Sequence, residues 1–130
     1  MIYTERIITA NRNTSKIDSP IILYRGDKNI GLRLNIVNNI FQHAIYAQLI
    51  LKNQNKIITM DIVKLQNDVL EINVPTEFMD EVTEVGMYTI QIRLFNEDQT
   101  SVATLPEIIQ ALEIREPIAD YFFNGDINQE

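Results

Sequence analysis

The chain has 130 residues, 45% of them hydrophobic and 22% charged. That is one domain's worth of ordinary globular composition, and no apolar run approaches the roughly 20 residues that a membrane-spanning helix needs. Membrane insertion is therefore not expected, and eleven Lys plus Arg against 18 Asp plus Glu leave a net charge of −7, the wrong sign for a protein whose affinity rests on neutralising phosphates, so nucleic acid is not an expected partner. The absence of cysteine removes disulfides, Cys-based zinc sites and thiol nucleophiles together. The single histidine, His43, removes any multi-His metal site and makes a His-dependent triad a poor candidate.

The chain opens on Met1-Ile2-Tyr3-Thr4-Glu5-Arg6-Ile7-Ile8, an alternation with an early acid and no basic region ahead of a long apolar stretch. It does not read as a secretory signal, although a protein assembled inside a cell still leaves in a lysate or a virion. Period-two alternation in short runs between turn residues is the dominant pattern, and it predicts about nine strands. The first covers Thr4 to Ala10 and leads into a polar loop, Asn11 to Lys16. The second begins after Pro20 as Ile21-Ile22-Leu23-Tyr24-Arg25, and Gly26-Asp27-Lys28-Asn29 is a hairpin-turn candidate, since Gly accepts positive φ and Asp and Asn cap turns with their own side chains. The third, Ile30 to Ile36, has apolar residues at 30, 32, 34 and 36, so one face is buried and one is wet.

After Asn38-Asn39 the alternation resumes at Ile45, Ala47, Leu49 and Leu51 and breaks at Asn53-Gln54-Asn55-Lys56. Ile57 to Lys64 and Val69 to Val74 then form an expected antiparallel pair around Leu65-Gln66-Asn67-Asp68. Pro75 to Glu81 is the one short helical turn, with Pro and acids where a first turn favours them. Gly86 opens the central strand Met87 to Phe95, Asn96 to Thr100 is a polar turn, Ser101 to Thr104 is short, and Glu107 to Arg115 is last. The domain is expected to close near Glu116. In Pro117 to Glu130 the cluster Tyr121-Phe122-Phe123 either packs back on the body or is presented to a partner or sister subunit, because exposed apolar patches usually mark interaction surfaces.

Catalytic chemistry is thin. Arg25-Gly26-Asp27 spells an integrin-binding tripeptide, but Gly-Asp between two alternating runs is what a turn requires anyway. Asn13-Thr14-Ser15 is a glycosylation sequon that reads as a solvated turn in the absence of a secretory signal. A two-carboxylate hydrolase would need acids about 5 to 10 Å apart; Asp61 and Glu71 sit on neighbouring candidate strands, yet on the outward side, where acids are normally only solvated. Glu77, Asp80, Glu81 and Glu84 cluster without the alternating acidic loop and central Gly of an EF-hand, and read as a charged surface turn. His43, just before a strand, has no second His or Cys and reads as a loop or edge residue. Tyr3, Tyr24, Tyr46, Tyr88 and Tyr121 are scattered rather than set as a stacking platform, Trp is absent, and four Gly leave no phosphate-binding fingerprint.

One stretch carries a family resemblance. Asn11 through Asn35, with Lys16-Ile17-Asp18-Ser19 leading to Ile22-Leu23-Tyr24-Arg25-Gly26-Asp27-Lys28-Asn29 and an alternating strand, resembles the N-terminal domain of the baseplate upper proteins of phages that infect Gram-positive bacteria. The Lys52-Asn53-Gln54-Asn55-Lys56 turn, the Val74-Pro75-Thr76-Glu77-Phe78 corner, the Gly86-Met87-Tyr88-Thr89-Ile90-Gln91 strand and Leu112-Glu113-Ile114-Arg115 follow in the same order, so the likeness runs over about residues 2–116. It implies a β-sandwich that docks onto the tail core, commonly as a trimer. Its partners would be other tail proteins, a distal tail protein and a receptor-binding protein, with Tyr121, Phe122 and Phe123 as the candidate contact.

Pattern and resemblance together predict an all-β, immunoglobulin-like antiparallel β-sandwich of about nine strands with one short helical turn, a domain over residues 1–116 and a connector or tail over 117–130. The expected role is a structural component of a phage or prophage tail-tip baseplate, located in the virion after synthesis in the host cytoplasm, scaffolding receptor-binding modules for host attachment. A carbohydrate- or cell-surface-binding sandwich is the alternative, and an enzyme is not expected. No cofactor and no metal are expected.

Overall fold

The computed structural model describes residues 1–54, 56–75, 77–79 and 84–118. Its strands are β1 (Ile2–Ala10), β2 (Ser15–Ile17), β3 (Ile21–Tyr24), β4 (Ile30–Asn38), β5 (Tyr46–Lys52), β6 (Ile57–Thr59), β7 (Val63–Lys64), β8 (Val69–Val74), β9 (Gly86–Phe95), β10 (Ser101–Thr104) and β11 (Ile108–Arg115). They form an all-β sandwich of a four-stranded sheet, β2-β1-β4-β8, and a larger one, β3-β11-β9-β5-β6, in which β10 also pairs β9 and β7 also pairs β5. Residues 77–79 make the helical turn, which seats Phe78 and Met79 in the core.

The alternation places the core where the sequence puts it. Ile30, Leu32, Leu34 and Ile36 of β4 and Leu70, Ile72 and Val74 of β8 face Ala47, Leu49 and Leu51 of β5 and Tyr88, Ile90, Ile92 and Leu94 of β9, all of them buried. Ile21 and Leu23 of β3 and Leu112 and Ile114 of β11 close one end of the same layer. Since side chains alternate between faces, each of these strands presents its polar neighbours to water.

Several expectations need correction. The sheets are mixed rather than antiparallel: β1 runs parallel to β4 and β3 parallel to β11. Consequently the Gly26–Asn29 turn joins strands of different sheets and is no hairpin. Gly26 does take φ +84, and the Asp27 N–H donates to the Tyr24 carbonyl at 3.2 Å, so the local reversal is real. A turn signal reports only that the chain bends, and the pairing is decided by which sheet buries Ile21 and Leu23.

The run from Ile57 to Lys64 and β8 likewise do not pair with each other: β6 and β7 both lie on β5, and β8 lies on β4 in the other sheet. A tight reversal does exist there, with Asn67 and Asp68 at φ 53 and 64 and Gln66 bridging Val69, but the strands that leave it diverge into separate sheets. Ser15 and Lys16, expected in a loop, form β2 together with Ile17 and pair with β1. The extra pieces raise the described strands to eleven, because one run is split by a one-residue slip in pairing between β6 and β7.

Tyr88 ties β9 to the segment before it. Its hydroxyl donates to the Glu84 carbonyl at 2.7 Å and accepts from the Glu84 N–H at 2.8 Å. Burial, with a smaller contribution from the Glu84 charge, pushes the phenol above its ordinary value of 10. A raised folded value means that the associated stability is complete below the unfolded value and is lost as pH rises through the folded one. Tyr88→Phe is therefore expected to lower the stability by about 1–2 kcal/mol in denaturant titrations at neutral pH. Above pH 10 the wild type should lose stability more steeply than the variant.

Candidate functional site

A groove of about 570 Å³ lies between β6 and β7 of the larger sheet and β8 of the smaller one. Its apolar lining is Ile58, Met60, Val63, Ile72, Pro75 and Phe78, of which Ile72 and Phe78 are buried and Ile58, Met60 and Val63 are half-buried. Asp61, Glu71 and Glu77 supply the charge, and among the described residues no Lys, Arg or His lines it. Asp61 and Glu71, expected on neighbouring strands, come to this groove from different sheets. Both are exposed, and the Glu71 carboxylate is engaged by the Arg33 Nε at 2.7 Å.

The outer face of the smaller sheet carries a second constellation. Tyr3 on β1 stands beside Gly31 on β4, and Arg33 pairs across to Glu5 on one side and Glu71 on the other. The Arg33 guanidinium lies 3.7 Å from the centre of the Tyr3 ring, and its hydrogen bond to Glu71 raises its affinity for its proton. Gly31 is what lets the ring lie down: a Cβ there would meet Tyr3 Cε1 and stand 2.5 Å from Cδ1. The sequence reading missed this stack, although glycine inside an otherwise regular strand is a signal of close approach.

The other candidates are dispersed. Arg25 is tied to Glu116 at 3.1 Å, and its N–H donates to the Arg115 carbonyl, so the Arg-Gly-Asp stretch is anchored to the end of β11. Asn13 and Thr14 sit in the β1–β2 turn, where both N–H groups donate to the Asn11 side chain. His43 is exposed in the loop before β5, with its ring edge-on to Phe41 at 6.5 Å. Tyr24 and Tyr46 lie on different strands of the larger sheet and Tyr88 in the core. Of the acidic run, Glu77 is at the groove and Glu84 pairs with Lys56 at 3.5 Å, while Asp80 and Glu81 lie outside the described residues. Tyr121, Phe122 and Phe123 also lie outside them. Among the described residues, no three His, Cys, Asp or Glu side chains converge in a metal-binding group, and no helix is long and apolar enough to cross a membrane.

No family model matches the sequence, and no curated protein does. Among solved structures the fold is similar to the N-terminal domain of phage TP901-1 ORF48, with a TM-score of 0.62, 14% identity, and coverage of 88% of this chain and 99% of that one. At that identity the likeness is one of fold. It takes in nearly the whole of a domain from a phage protein, which is the architecture that the sequence resemblance implies.

Gly31→Ala is expected to cost about 1–3 kcal/mol, because the Tyr3 ring must leave its place under Arg33. In a Tyr3→Ala background most of that cost should disappear, and a double-mutant cycle of denaturant midpoints reads the coupling.

Proposed function

We propose that the chain is a structural domain of a phage tail-tip baseplate, holding receptor-binding modules on the tail for host adsorption. The observation that carries the reading is the fold shared with a phage domain over 88% of this chain and 99% of the other. Support also comes from the resemblance to baseplate upper proteins, which rests on different ground, namely residues 11–35 and the ordered motifs after them. In this reading the domain docks on other tail proteins, a distal tail protein on one side and a receptor-binding protein on the other. It works as a homotrimer and performs no catalytic step.

The surface suits such a role better than it suits small-molecule chemistry. The groove is open, its carboxylates are exposed, and its lining offers an apolar floor with an acidic rim. Surfaces of that make-up bind protein segments through apolar contacts, with charge setting the choice of partner. Immunogold electron microscopy with an antibody against the chain, applied to phage particles induced from the source bacterium, is expected to place gold at the tail tip. Detection in the lysate by blot with unlabelled particles would refute the reading.

A further inference from the structure

We propose that the free edge of β8 and the groove beside it take up an extended strand of another protein, one that alternates apolar residues with lysine or arginine. The backbone geometry comes first. The Ile36 N–H donates to the Asp68 carbonyl at 2.9 Å, and in an antiparallel ladder such exchanging pairs recur at every second residue. Following the register, Leu70, Ile72 and Val74 direct their N–H and C=O groups to β4, and Val69, Glu71 and Asn73 direct theirs away from it. Val69 exchanges its pair with Gln66 at 3.0 and 3.1 Å. Glu71 and Asn73 are left with an N–H and a C=O each on the open edge, and among the described residues no strand other than β4 pairs with β8.

This edge is unlike the others. β2, β3, β6, β7 and β10 have two to four residues, whereas β8 has six. Proteins usually blunt an exposed edge by shortening it, charging it with lysine or covering it; β8 carries no lysine and ends only at Pro75. The smaller sheet also stops one strand short of the larger sheet's five-strand path. The groove lies where its fifth strand would run, and an added strand would pair with Glu71 and Asn73 while its inward side chains settle on Ile58, Met60 and Ile72. Main-chain bonds give affinity in this mode, and pockets for alternate side chains give specificity.

Charge selects the occupant. Asp61 and Glu77 border the groove with no cation among its described lining residues, while Glu71 beside them is already held by Arg33, so outward basic residues on the incoming strand are favoured by Asp61 and Glu77 and acidic ones disfavoured. A second copy of this chain, at net charge −7, is a poor fit, and so is its own C-terminal stretch after Ile118, which carries Asp120, Asp126 and Glu130 and no base. The proposal does not lean on the phage reading: particle labelling and strand binding succeed or fail independently.

The test is amide NMR of the isotope-labelled full chain titrated with a blocked hexapeptide alternating Lys and Val, with the Glu and Val counterpart as control. The expected result is saturable shifts centred on the Glu71 and Asn73 amides with the Lys peptide only. Asn73→Pro should abolish them while sparing the β4–β8 ladder, since the Asn73 N–H points away from β4. The double variant Asp61→Lys with Glu77→Lys should weaken binding at least about tenfold, and it keeps the test decisive if the proline variant does not fold. The proposal is overturned if no saturable shift occurs at those amides, if the Glu peptide binds equally, or if the double variant binds as the wild type does. It is also overturned if those amides move when the chain alone is diluted, which would assign the edge to a second copy.

Discussion

Strands β1 and β4 lie side by side and parallel from Ile2 beside Ile30 to Ala10 beside Asn38, and most of the architecture follows from that ladder. Parallel neighbours cannot be joined by a hairpin, so the chain between them must carry back the full length of the strand before β4 can start. It does so by folding β2 back on β1, crossing to the other sheet as β3, and returning through the Gly26–Asn29 turn. The crossing is stitched along its path. Asp18 accepts the Ile7 N–H through its side chain and returns its own N–H to the Ile7 carbonyl, and Arg6 donates to the Ser19 and Pro20 carbonyls. Once β3 is delivered to the larger sheet, its direction makes its pairing with β11 parallel too. On the outer face the Tyr3 ring covers the Gly31 backbone near the start of this ladder, supplying the packing that glycine itself lacks.

What could be read from the residues was whatever depends on near neighbours. Inward positions such as Leu32, Leu49, Ile72 and Ile92 are decided by a period of two, and they are buried as expected. The turns announce themselves through asparagine: Asn11, Asn38, Asn53 and Asn96 each accept backbone N–H groups two to four residues ahead on the side-chain oxygen, so the same residue type builds four separate reversals. What could not be read was the assignment of a strand to a sheet. The runs on either side of Gly26-Asp27 and of Asn67-Asp68 look like hairpins because their alternation and turn chemistry are those of hairpins. Only the burial of Ile21 and Leu23 against β11, and of Leu70 and Ile72 against β4, separates the members of each pair. The β11 irregularity was equally hidden. Gln110 takes φ 55 and shifts the pairing between Ile108 and Leu112, which buries Ala111 and Leu112 in succession and leaves Ile109 exposed; nothing in the residue types there demands it.

The candidate site shows the same division. Asp61, Glu71 and Glu77 were visible as acids, and placing them on solvated positions was sound, since all three are exposed. Their convergence on one groove was invisible because Asp61 arrives from the larger sheet and Glu71 from the smaller. Arg33, which engages Glu71 and covers Tyr3, gave no sequence signal beyond being a polar residue at an outward position.

The two long sides of the sandwich are finished differently, and that difference is what the proposed strand-binding edge rests on. On the β2 and β3 side, Arg6 and Asp18 tie β1 to the connection that crosses from β2 to β3. On the β8 side the described cover is the helical turn that buries Phe78 and Met79 at 5% and 0% exposure. An apolar plug of this kind keeps water from the core, and among the described residues no strand other than β4 pairs with the β8 edge that carries Glu71 and Asn73. Solvated edge groups cost the free domain little, because water satisfies them, and they are satisfied again when a strand replaces that water. The net gain from such an exchange then comes from the apolar floor beneath it and from neutralising the acidic rim, which makes the composition of the incoming strand, rather than its backbone, the determinant of what binds.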